Sequence, residues 1–152
     1  MPDNEAPPFR RAVVALNGGS SDARIVRLVA AMAAKSKAEV IAVHVVEIDW
    51  TLPLDADIAG RSEEVQRVLD VAEAIAESYK IKMEPVLLQA RDVAAAIVDE
   101  ATERDADLLV TGLPYRKRFG GEFAIGRTIP YILQNAPCAV WVVREPMSEE
   151  AS

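Results

Sequence analysis

The chain has 152 residues, the length of one domain, and 51% of them are apolar, enough for one sizeable core. A net charge of −7 argues against general affinity for nucleic acid or anionic membranes, and the single cysteine, Cys138, excludes an intrachain disulfide and fits a reducing, cytoplasmic compartment. No apolar run approaches the ~18–20 residues of a bilayer span, and Met1–Arg10 lacks the apolar stretch of a secretory signal, so neither membrane insertion nor export is expected.

Residues 1–9, with Pro2, Pro7 and Pro8, read as a flexible tail before a domain over residues 10–145, with a second tail at 146–152. Arg11–Leu16 holds a continuous apolar run, the pattern of a strand buried on both faces. Asn17-Gly18-Gly19-Ser20-Ser21-Asp22 is a turn ending in helix-capping residue types. The helix that follows, to Lys35, sets Ile25, Leu28, Val29, Met32 and Ala33 on its inner face. Val40–Val46 predicts a second buried strand. After an irregular connection with Trp50 and Pro53, Ser62–Tyr79 predicts a helix with Val65, Leu69, Ala72, Ile75 and Ala76 inward. Lys82–Gln89 predicts the third strand. Asp92 is a candidate cap for a helix burying Ala96, Ile97 and Ala101. Asp107–Thr111 predicts the fourth strand, Thr128–Gln134 a fourth helix ended by Pro137, and Ala139–Val143 the fifth strand. Strand–helix alternation with buried strands predicts an α/β fold: one open, five-stranded parallel sheet with helices on both faces, Rossmann-like.

Ligands of such sheets bind outside the carboxyl ends of the strands, where strand order reverses. The loops expected there follow the first and fourth strands, Asn17–Asp22 and Gly112–Arg127, and together they hold six of the seven glycines. Glycine lets backbone amides approach phosphate oxygens, and Gly126-Arg127-Thr128 opens a helix, whose start offers unpaired donors. The second loop also carries Arg116, Lys117, Arg118 and Arg127 against Glu122, a net +3 in an acidic chain. These features converge on an anion site; turn glycines beside solvated arginines are the alternative.

The stretch Asp105-Ala106-Asp107-Leu108-Leu109-Val110-Thr111-Gly112, then Gly126, then Ala136-Pro137-Cys138-Ala139-Val140-Trp141-Val142-Val143-Arg144, together with Val43-His44-Val45, resembles the universal stress protein family over about residues 10–145. The resemblance implies an adenine-nucleotide alpha-hydrolase-like fold and a cytoplasmic, nucleotide-binding regulatory protein of the stress response, a homodimer through its last strand. ATP or another adenine nucleotide is the implied ligand, with magnesium as its companion. Carried over residue by residue, adenine and ribose lie near Ala15, Asn17 and Val45, and phosphates meet Gly112, Gly126, Arg127 and Thr128; charge adds Arg116 and Arg118. The chain departs from the family's Gly-x2-Gly-x9-Gly-(Ser/Thr) pattern. Tyr115 stands at the second glycine, Gly126 comes one residue late with Arg127 behind it, and Asn17 replaces the first-strand aspartate. Gly112-Leu-Pro-Tyr-Arg-Lys-Arg-Phe-Gly-Gly121 also resembles stress-protein domains acting with amino-acid permeases, which implies the alternative reading, a non-nucleotide-binding dimeric module regulating a membrane transporter.

His44, the sole histidine, sits in an apolar strand and is assigned a structural role; one histidine without a cysteine or carboxylate cluster makes no metal site. Cys138 has no basic partner in sequence and is expected to be buried rather than nucleophilic. Trp141 is read as core or dimer interface. No catalytic triad or paired acids assemble, so catalysis beyond weak ATP hydrolysis is not expected.

Overall fold

The computed structural model describes residues 7–53, 62–115 and 125–147. Five strands and four helices alternate: β1 (Arg11–Leu16), α1 (Asp22–Ser36), β2 (Glu39–Glu47), α2 (Ser62–Ser78), β3 (Met83–Ala90), α3 (Val93–Glu103), β4 (Leu108–Leu113), α4 (Thr128–Asn135) and β5 (Ala139–Arg144). All pair in parallel in the order β3-β2-β1-β4-β5, the open α/β sheet expected from the sequence. The order reverses between β1 and β4, so the loops leaving these neighbours diverge over the same end of the sheet.

The core forms two layers because successive strand side chains point to opposite faces. Ala12, Val14, Leu16, Leu108 and Val110 pack against α1 and α2, with Ile25, Val29 and Leu69. Val13, Ala15, Val43, Val45 and Leu109 pack on the other face with Ile97 and Ile132. The central strands β1, β2 and β4 are covered on both faces, which is why they read as unbroken apolar runs. The edge strands are half-exposed, and Pro85, which has no N–H to donate, sits on edge strand β3.

Two local expectations change. Leu28, placed on the inner face of the first helix, is 40% exposed; the buried stripe is Ile25, Val26, Val29, Ala30 and Ala33, rotated away from it. The fourth strand starts at Leu108 rather than Asp107, whose N–H still donates to the Arg11 carbonyl at 3.0 Å and whose entry to the sheet is held by its carboxylate. That carboxylate accepts from the Arg10 N–H at 2.9 Å and the Arg11 N–H at 2.9 Å, tying the start of β4 to the start of β1. Asp92 caps α3 as expected, accepting from the Ala95 N–H at 3.1 Å. Phe9, just before β1, is buried and meets Trp141 edge-on with ring centroids 6.2 Å apart, so Trp141 is core on its inner face.

Candidate functional site

At the carboxyl ends of β1 and β2, on the α1–α2 face, lies a cavity of about 840 Å³. That lies within the usual range for small-molecule sites. Its floor is the turn Asn17–Ser20 and the end of β2, His44–Glu47, and its wall is α2 from Glu64 to Ile75. The apolar part of the lining includes Val26 of α1, Val45 and Val46 of β2, and Val65, Val68, Val71 and Ile75 of α2.

The β1–α1 turn is shaped by its own side chains. Asp22 is the first residue of α1, and its carboxylate folds back over the turn. One oxygen accepts from the Asn17 N–H at 3.1 Å and the other from the Gly18 N–H at 2.8 Å. The Asn17 side-chain oxygen accepts from the Gly19 N–H at 2.7 Å. Three consecutive amides therefore have acceptors from within the turn. Gly18 adopts φ +81°, a left-handed conformation glycine takes without strain, and a Cβ on Gly19 would lie 2.8 Å from the Asn17 oxygen. The glycine pair thus serves the turn's own geometry. Burial raises the Asp22 carboxyl above the ordinary range; the bonds from Asn17 and Gly18 and the field of His44 oppose that rise.

His44 reaches this site although the sequence assigned it only a structural role. Its Nδ1 lies 3.0 Å from the Leu16 carbonyl oxygen, which can only accept, so Nδ1 carries the proton. In the neutral ring Nε2 is then the acceptor, on a residue that lines the cavity. The signal available was strand parity. His44 shares the face of Leu16 and Ala42, toward α1 and α2, whereas Val45 shares the other face with Val43.

Of the residues expected at the base and ribose, Asn17 and Val45 line the cavity and Ala15 does not. The Ala15 and Val45 side chains belong to the core on the α3–α4 face. Gly112, on β4, lies against Ser21 at the start of α1, where a Cβ would come within 2.4 Å of the Ser21 Cβ. Its lack of a side chain lets α1 seat on β4. Ser21 is buried there, and among the described residues its hydroxyl has no hydrogen-bond partner. Gly126, at φ +74°, leads into α4, with Arg127 at the N-cap and Thr128 as the first helical residue, all three exposed. Pro130, the third residue of α4, has no N–H, which reduces the donors at this helix start. Arg116 and Arg118 lie outside the described residues. Tyr115 does not line the cavity; its ring lies under the Arg144 guanidinium, 4.9 Å from the centroid.

Arg91 was not singled out by the sequence. It braces the connection leaving β2, donating to the Asp49 carbonyl at 2.8 Å and the Leu52 carbonyl at 2.9 Å and lying 5.0 Å from the Trp50 ring centroid. Burial, and next the charge of Asp107, raise the Cys138 thiol, which keeps it protonated at neutral pH.

A model of the universal stress protein family matches residues 8–144. The sensor protein KdpD of Mycobacterium tuberculosis is 31% identical over 142 residues, 93% of this chain; the chain spans only 15% of that relative's length. Among solved structures, a universal stress protein in complex with cAMP superposes with a TM-score of 0.68 at 22% identity, covering 90% of this chain and 97% of the other. The universal stress protein of Archaeoglobus fulgidus in complex with dAMP gives 0.69 at 23% identity, covering 89% and 98%. At these identities the structures establish the shared fold. No helix among the described residues is long and apolar enough to cross a membrane.

Proposed function

Since the chain belongs to the universal stress protein family, we propose that it is a nucleotide-binding regulatory protein of the stress response, cytoplasmic, taking an adenine nucleotide at the carboxyl ends of β1, β2 and β4. The observation that carries this reading is the cavity of about 840 Å³ at the carboxyl ends of β1 and β2, with apolar walls for a base and Asn17 and His44 for its polar edge. The cAMP and dAMP complexes of neighbours support the ligand class. Base and ribose occupy the cavity, and phosphate lies toward Gly126, Arg127 and Thr128. The role is binding rather than turnover: Asp22, the carboxylate closest to the turn, is bound to two amides and is a poor general base in that state.

Calorimetric titration of the full chain with cAMP, AMP, ADP and ATP, the last with magnesium, tests the proposal. Saturable binding of at least one is expected, and Arg127→Ala should weaken the phosphorylated ligand roughly tenfold by removing a charge-assisted contact. Four flat titrations would reject it. A second reading is favoured by the similarity to a sensor protein: the domain acts as a dimeric docking module in transporter regulation. It would survive those flat titrations.

A further inference from the structure

Glycine-bearing turns between a strand and a helix usually present free amides to phosphate. This turn presents none at Asn17, Gly18 or Gly19, because Asp22 and the Asn17 side chain already accept from all three. The charges lining the cavity point the same way: among the described residues that line it, Asp22, Glu47 and Glu64 are acidic and Arg67 is the one arginine or lysine. A polyphosphate chain placed here would meet carboxylates and spent donors, whereas an uncharged base and ribose would meet valines, Asn17 and His44.

We propose that Asp22 is a specificity-determining residue. Its carboxylate is the resident anion of the β1–α1 turn, so the cavity accepts the nucleoside end of a ligand and excludes polyphosphate. The proposal rests on the reading of the site as an adenine-nucleotide site and adds a ligand order to it. A single phosphate directed toward α4 is tolerated, and further phosphates contribute nothing. Asp22→Asn removes the charge and leaves one oxygen to accept; Asp22→Ser removes the charge and is too short to span the turn. Both variants free amides for an incoming anion.

The test is competition calorimetry on the full chain with adenosine, AMP, ATP and inorganic tripolyphosphate, first on the wild type. Expected are AMP at least as tight as ATP and no displacement of AMP by tripolyphosphate. In Asp22→Asn, and more in Asp22→Ser, the ratio of ATP to AMP affinity should rise at least tenfold. ATP binding more than tenfold tighter than AMP in the wild type, or displacement by tripolyphosphate, overturns the proposal while leaving nucleotide binding intact. An unchanged ratio in folded variants overturns it equally. No binding of adenosine or any nucleotide overturns both readings together. The wild-type series decides the matter even if the variants fail to fold.

Discussion

Gly112 is a packing residue before it is anything else. A methyl group there would collide with the Ser21 Cβ, Gly112 being held in β4 and Ser21, the N-cap of α1, being buried. Gly112→Ala should therefore destabilise the fold by about 1–3 kcal/mol through overpacking, measurable as a lower denaturation midpoint with unchanged slope. Two aspartates respond to pH in opposite senses. Burial opposes ionisation of Asp107, but the bonds from Arg11 and Arg10 outweigh it and hold its carboxyl below the ordinary range. The folded chain gives up that proton more readily than the unfolded one. The stabilisation is present above the ordinary carboxylate pKa and is lost as pH falls through the folded one. Asp22, raised by burial, works the other way: stability falls as pH rises from the ordinary value through the raised one. Asp107→Asn should flatten the acid-side loss in a series of melts between pH 3 and pH 7, and an unaltered profile would contradict this assignment. Residue type alone marked Asn17 and the glycines for attention. It could not say that the Asn17 oxygen turns back to Gly19, because an asparagine closing its own turn and one reaching a ligand look alike in sequence. Asp22 posed the same ambiguity, as it fitted a helix cap.

At the scale of elements, the strands were the most legible part. β1, β2 and β4 are covered by helices on both faces, so nearly every position must be apolar, and the runs identify themselves. Helix faces were less so. Leu28 fits the helical period yet is 40% exposed, because period alone leaves the stripe's orientation free by one residue. The Asp92 cap was readable because its only neighbours are a strand end and a helix start. Asp92→Ala should cost about 1 kcal/mol in thermal unfolding by orphaning the Ala95 N–H. Among the described residues strand β5 pairs with β4 alone, and Val140, Val142 and Val143 are half-buried along it. We propose that it joins a second copy of the chain edge to edge or face to face. Val142→Lys should then convert a dimer to a monomer in light scattering at micromolar concentration, and a wild-type monomer would refute the pairing.

Over the whole molecule, charge and topology divide the work. A chain of net −7 places its basic island in the segment between β4 and α4, while the described residues lining the cavity between α1 and α2 include three acids, Asp22, Glu47 and Glu64, against Arg67. The open parallel sheet made the location of a site at its carboxyl end readable in advance, since buried strands alternating with helices imply parallel pairing and ligands of such sheets bind at that end. The resemblance put base and ribose at the first loop and phosphates at the later one; that the amides of the first loop are already engaged was not readable, because it depends on side chains folding back onto them. The most direct measurement is a map of backbone amide chemical shifts in the 15N-labelled chain as AMP is added. Changes concentrated at residues 17–23, 44–47, 64–75 and 126–128 are expected. Saturating AMP with no shifts there, or shifts confined to the opposite end of the sheet around Lys37 and Lys80–Glu84, would contradict the proposed site.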